Sequence, residues 1–293
     1  MTTERSLLFI HRGALGDFVL CFPLLEALGR AGYQRHLVAR REHGDLARIL
    51  SLCEGWLDCE SGAGYDLLTQ KEEALRYLES KIKGLSLLIA LVSDPDKKFQ
   101  RWLSARTRLA HHVLFPQPDK KFKGHVSDHP FVELEKLGLM KSTEAHDFWQ
   151  GGPLFLLHPG SGSPSKNFPP SFFTGLKERL LVAESAFVLG PAERERTHHW
   201  PGKVIAPENL IALAGELIRC RALVSHDSGV AHLAAWLGVP TLALFKATDP
   251  RLWAPQGKRV SLLSGAALTV DAVYPEVLKL FSRKPHYTPE KLS

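Results

Sequence analysis

The chain has 293 residues, 44% of them hydrophobic and 23% charged, with a formal net charge of +6 and an isoelectric point near 9.1. That balance excludes a disordered, collagenous or disulfide-stapled chain, and the length favours two domains of about 150 residues. The mild positive charge admits an anionic partner without choosing which.

The first apolar run, residues 7–10, is too short for a signal segment and predicts a strand. A helix is expected over 18–31, strands over 36–40, 85–92 and 108–115, and helical spacing over 128–139. The stretch Trp149-Gln150-Gly151-Gly152-Pro153 interrupts this pattern and marks the expected boundary between domains 1–150 and 151–293. The alternation then restarts, with strands expected at 154–160, 185–190, 222–225 and 241–245. Helices are expected over 171–181, over 209–220 and after Ser228. Strands and helices in such alternation predict parallel sheets covered by helices, an α/β fold in two halves. No run approaches the length of a membrane span. Cys21, Cys53, Cys59 and Cys220 form no CxxC pair and read as small apolar residues of a reduced, cytoplasmic protein.

Three strand ends carry chemistry. In the first, His11-Arg12-Gly13-Ala14-Leu15-Gly16-Asp17, glycines permit a sharp turn and close approach to a ligand. The GxGxxG fingerprint is absent. Asp17 has two readings here, a helix cap worth about 1 kcal/mol or a general base at the mouth of a cleft. In the second, His158-Pro159-Gly160-Ser161-Gly162-Ser163, small residues precede Lys166. Loop N–H groups, hydroxyls and a lysine suit phosphate oxygens, although the Walker spacing is missing. In the third, Asp227, Ser228 and Gly229 open a helix, where N–H groups attract anions. Asp227, itself anionic, better suits sugar hydroxyls. His232 lies one turn on, either as a buried core histidine or as pocket lining.

Other clusters are weaker. The pairs His111-His112 and His198-His199 have no carboxylate or cysteine at ligand spacing, so no metal site is expected. Ser161, Ser163 and Ser228 lack the G-x-S-x-G elbow of a hydrolase. The basic residues Lys97, Lys98, Arg101, Arg106 and Arg108, with Lys120, Lys121 and Lys123, read as a solvated face or as the approach for an anionic second substrate.

Taken together, the three turns resemble glycosyltransferase family 9, the ADP-heptose–lipopolysaccharide heptosyltransferases. The resemblance rests on RGALGDFVLCFPLLEALGRAG, on HPGSGSPSKNFP, and on SHDSGVAHLAAWLGVPTLALFKATDPRLWAPQG, and runs from about residue 6 to 265. It implies a GT-B fold, two Rossmann-like domains with parallel sheets facing across a cleft, and an inverting, metal-independent transfer with no cofactor. The resemblance assigns Asp17 as general base, and Ser161, Gly162, Ser163, Lys166, Ser228 and Gly229 as contacts of the donor diphosphate. It assigns Asp227 and His232 to the donor sugar and Glu195 to the nucleotide ribose, with Glu193 as the competing match. The expected partners are a nucleotide sugar, most simply ADP-heptose, and an anionic glycolipid such as the lipopolysaccharide core. Nucleic acid is not expected. The protein is expected as a cytoplasmic monomer in peripheral contact with the inner membrane. Alternatives are a GT-B transferase or epimerase using another nucleotide sugar, and a noncatalytic nucleotide-sugar-binding protein. The chain departs from the family pattern twice: Phe168 stands where tryptophan is usual, and Lys246 where glycine is usual.

Overall fold

The computed structural model describes residues 5–119, 121–142, 145–180, 184–194 and 198–282. The chain divides into two compact units, Met1–Thr143 and Glu144–Ser293, each built on its own parallel sheet.

In the first unit, strands β1 (Arg5–His11), β2 (Tyr33–Ala39), β3 (Gly55–Asp58), β4 (Leu85–Leu91) and β5 (Ala110–Leu114) lie in the order β3-β2-β1-β4-β5. Every pairing is parallel. Helices cover both faces of such a sheet, so its central strands must be apolar on both sides. Residues Leu7, Leu8, Phe9 and Ile10 of β1 are accordingly fully buried. Leu8, Ile10, Leu88 and Leu103 share one core, and each such side chain contributes about 1.5–3 kcal/mol by leaving water.

The helix expected over 18–31 is two helices, Leu15–Val19 and Phe22–Arg30. Pro23 causes the break, because a proline there has no N–H to donate and its ring crowds the carbonyl four residues back. The helical spacing over 128–139 yields only a short helix, His129–Glu133, flanked by 3₁₀ turns. Val132 is 56% exposed while Leu134 is buried, so this stretch has little apolar surface with which to hold a longer helix.

In the second unit, β6 (Phe155–His158), β7 (Ser185–Val188), β8 (Val204–Ile205), β9 (Ala222–His226), β10 (Thr241–Phe245) and β11 (Val260–Ser264) form the order β11-β10-β9-β6-β7-β8, again all parallel. Phe155, Leu157, Phe173, Phe187 and Val224 sit in its main core. Just before the Gly/Pro stretch the chain is already fastened to this unit. Asp147 and Arg259 form a two-pronged ion pair at 2.7 and 2.9 Å. Arg259 lies 5.0 Å from the Trp149 ring centroid, and the Trp149 indole N–H donates to the Cys220 carbonyl at 2.8 Å. The change of unit thus falls a few residues ahead of the stretch that sequence alone marks as the boundary.

Both sheets have a Rossmann-like order in which the unit's first strand neighbours its fourth. Connections leave that point in opposite directions, opening a crevice beyond the strands' carboxyl ends. In the first unit this point is β1/β4; in the second it is β6/β9. No described helix is long and apolar enough to cross a membrane.

Candidate functional site

The β6/β9 crevice holds most of the residues singled out in sequence. At the end of β6, the buried His158 anchors the chain, its Nδ1 2.9 Å from the Val188 carbonyl. At Gly160 a side chain would collide with Glu193: a Cβ there would stand 2.1 Å from Glu193 Oε1. The Glu193 carboxylate is itself buried and accepts the Gly190 N–H at 3.1 Å. Glu193 therefore braces two strand ends from below the loop. Glu195, the residue assigned to the ribose, lies outside the described residues.

From here the loop folds on its own hydroxyls. Ser161 Oγ is 2.8 Å from the Ser163 carbonyl and 2.6 Å from Asn167 Oδ1, and accepts the Ser163 N–H at 3.3 Å. Gly162 is exposed, and the space where its Cβ would project is open. Lys166 ends a 3₁₀ turn and donates from Nζ to Asp227 Oδ2 at 2.8 Å. A cleft of about 270 Å³ runs beside the loop, rimmed by Phe168, Glu193, His198 and Trp200.

Asp227 joins the two strand ends. It follows β9, is 3% exposed, and donates its N–H to the Leu244 carbonyl at 3.0 Å. Its Oδ2 accepts from Thr248 Oγ1 at 2.6 Å as well as from Lys166, while His232 Nε2 stands 3.8 Å from Oδ1. Burial alone would raise this carboxyl, but His232, Lys166 and Thr248 outweigh it and hold it at about 2. The carboxylate is charged at neutral pH. His232 is buried, as its structural reading expects, and its ring faces the Asp227 carboxylate.

Ser228 is the cap of the helix Gly229–Trp236, its Oγ accepting the Ala231 N–H at 3.3 Å and meeting Ser225 Oγ at 2.9 Å. With its hydroxyl so engaged, Ser228, like Gly229, offers a ligand mainly its main chain.

In the first unit, the cap position of the helix Leu15–Val19 falls on Ala14, and Asp17 is the third helical residue, half-buried. The N-cap reading of Asp17 is thereby corrected: the turn closes three residues earlier than the sequence suggests. Gly13 is packed between its neighbours, since a Cβ there would stand 2.9 Å from His11 Cε1 and 3.4 Å from Asp17 Cβ. His11 lies 5.4 Å from the Phe18 ring, which stacks on His43 at 4.8 Å. Burial, with the nearby His43 and Arg40 charges, pushes His11 down to about 3, so it is neutral. A cavity of about 460 Å³ opens at the β1 and β4 ends, lined by Arg12, Gly13, Ser93, Asp94 and Lys98 among others. Asp94 caps the helix Lys98–Arg106, accepting from the Phe99 and Gln100 N–H groups at 3.1 and 2.9 Å. The basic residues Lys97, Lys98, Arg101, Arg106 and Arg108 are exposed on and beside that helix.

Three residues escaped the sequence reading, and a fourth, Lys246, stood out there only as a departure from the family pattern. Thr248 is a direct partner of Asp227. His226, fully buried, accepts the Phe168 N–H at 2.8 Å and packs on Phe168 and Phe173. Burial foremost lowers His226 to about 3, as an uncharged acceptor requires. Asn167 and Lys246 meet at 2.9 Å, Lys246 Nζ donating to the Asn167 carbonyl. Thr248 and His226 both sit within the quoted motif; His226 lies between Ser225 and Asp227 and Thr248 between Ala247 and Asp249, where nothing local sets either apart. Among the described residues no three of His, Cys, Asp and Glu gather as a metal-binding group, and all four cysteines are buried and unpaired.

The sequence model of glycosyltransferase family 9 (heptosyltransferase) matches residues 112–274. Lipopolysaccharide heptosyltransferase 1 of Pseudomonas aeruginosa is 32% identical over 116 residues, which make up 37% of this chain and 33% of that protein. The match thus spans about a third of that relative's length. A family 9 glycosyl transferase from Veillonella parvula is similar in structure with a TM-score of 0.76 at 17% identity, over 96% of this chain and 98% of its own. The heptosyltransferase WaaC of E. coli, solved with ADP, gives 0.72 at 17% identity, over 94% and 99%. At such identity these likenesses speak for the fold, which is the expected α/β GT-B type with two Rossmann-like parallel sheets.

Proposed function

The chain belongs to glycosyltransferase family 9 (heptosyltransferase), and from this premise we propose that it transfers heptose from ADP-heptose to the inner core of lipopolysaccharide. The transfer inverts the sugar carbon and uses no metal ion. The observation that carries the reading is the contact of Lys166 with Asp227 across the β6 and β9 ends. One loop supplies a cation with small, hydroxyl-bearing neighbours, the other a charged acceptor, and a sugar linked to a diphosphate needs both. The E. coli heptosyltransferase WaaC, similar in fold, was solved with ADP.

In this reading Lys166 and the loop of Ser161, Gly162 and Ser163 bind the diphosphate, with Ser228 and Gly229. Charge gathers on the diphosphate as it leaves, and preformed donors with a lysine stabilise that charge. Asp227 accepts the sugar hydroxyls and His232 lines their pocket. Glu195 is assigned to the ribose. Asp17 takes the proton of the acceptor hydroxyl, a role that contributes about 100- to 10,000-fold in rate. The exposed basic residues from Lys97 to Arg108 suit a phosphorylated glycolipid and the anionic inner face of the membrane, where the protein works as a cytoplasmic monomer.

A thermal-shift screen with ADP, UDP, GDP and CDP tests this reading. Selective stabilisation by ADP is expected, about 2.7 kcal/mol at a hundredfold excess over the dissociation constant. Stabilisation by none of the four would refute it.

A further inference from the structure

The two departures from the family pattern touch each other. Lys246, directly after β10, is half-buried, and its ammonium lies 5.7 Å from the Phe168 ring centroid. The same ammonium donates to the Asn167 carbonyl at 2.9 Å. Among the described residues no carboxylate pairs with Lys246, so what it grips is the loop itself.

That grip falls on the residue following Lys166. Asn167 is held at both ends, its carbonyl by Lys246 and its Oδ1 by the Ser161 hydroxyl at 2.6 Å. Phe168, next in line, donates its N–H to His226 at 2.8 Å and lends its ring face to the Lys246 charge, an arrangement that stabilises a cation. Two residues beyond Lys246, Thr248 donates to Asp227 at 2.6 Å. The short segment after β10 therefore ties together the carboxyl ends of β6 and β9.

We infer that Lys246 is a positioning residue for the donor diphosphate, holding the 161–168 loop so that Lys166 keeps its place on exchanging Asp227 for phosphate. The inference rests on the proposed donor site and adds to it the element that fixes its cation. A lysine held only by its neighbouring carboxylate would lose its anchor on ligand binding. With Asn167 and Phe168 pinned from β10, the Lys166 backbone stays put and only its side chain moves. Ordering done before binding is ordering that binding need not supply.

The test is a double-mutant cycle on the full chain, with ADP as the probe in calorimetry. Lys246→Met keeps the apolar stem against Phe168 and removes the charge; it is expected to weaken ADP binding about tenfold, the equivalent of about 1.4 kcal/mol. Lys246→Arg, which can still donate to the carbonyl and lie on the ring, is expected to stay within about threefold of wild type. In a Lys166→Ala background, Lys246→Met should cost little more, because the group it positions is gone. Thermal melting of each variant reports folding separately. A wild-type affinity in Lys246→Met, or losses that add in full in the double variant, would overturn the inference while leaving the donor site standing. A wild-type protein that binds no ADP would overturn the donor site, and this inference with it.

Discussion

Replacing Asp227 by Asn keeps the shape of the buried side chain and removes its charge, which makes the energetics of the site readable by acid titration. Burial would raise the carboxyl, but its donors hold it at about 2 against an ordinary 3.8. That depression corresponds to about 2 kcal/mol favouring the folded state while the group is ionised. Since the folded-state value is the lower one, the contribution is fully present above about pH 4 and is lost as the pH falls toward about 2. Urea unfolding of wild type and Asp227→Asn, compared at each pH from about 6 down to about 2, isolates it, because distant carboxylates and histidines contribute equally to both proteins. The wild type is expected to lose about 2 kcal/mol relative to the variant across that range. A difference that stays flat would mean that Lys166 and Thr248 do not stabilise the carboxylate, and the reasoning behind the site would fail.

Other outcomes follow from the same geometry. Lys166→Ala should weaken ADP binding by roughly 10- to 100-fold in calorimetry, the scale of one charge-assisted hydrogen bond; an unaltered affinity would remove the loop from the donor site. Asp17→Asn should lower turnover by about 100-fold or more while leaving donor affinity unchanged, and retained turnover would remove Asp17 as base. Wild-type stability should rise with pH between about 3 and about 6.5, because His11 and His226 stay neutral in the fold to about 3 while the unfolded chain takes up protons below 6.5. A urea midpoint independent of pH over that window would contradict the burial argument.

The central strands were legible in sequence because a strand covered on both faces has to be a nearly continuous apolar run, as residues 7–10, 87–92 and 242–245 are. The strands missed lie at sheet edges. Gly55–Asp58 is half-buried throughout, Val204–Ile205 spans two residues, and Val260–Ser264 alternates between half-buried and exposed. An edge is buried on too little of its surface to leave such a run. The helix Val270–Phe281 escaped for a different reason: Pro275 lies inside it, where proline ordinarily signals a stop. In the candidate site, Lys166 and Asp227 stood out in sequence by residue type and by their place in the loops after β6 and β9. What could not be read was who holds them. Lys166 meets Asp227 and Lys246 meets Asn167 across dozens of intervening residues, and only the strand order β10-β9-β6 brings their loops side by side.

That strand order also bears on selectivity under the proposed function. Lys166 and Asp227 satisfy each other, with the Lys166 side chain 29% exposed and that of Asp227 4%. Drawing Lys166 away toward phosphate leaves Asp227 with Thr248 and His232 alone. A buried charge that loses a partner is costly, by a few kcal/mol in proteins generally. A diphosphate without the donor sugar, such as ADP, binds with that loss uncompensated at Asp227 and so more weakly than the nucleotide sugar. A sugar joined to the diphosphate offsets the loss, because its hydroxyls reach the carboxylate as its phosphates take the lysine. The Lys166–Asp227 ion pair therefore favours ligands presenting both chemistries at once, and it does so through competition for Asp227 rather than through a pocket shaped to one sugar.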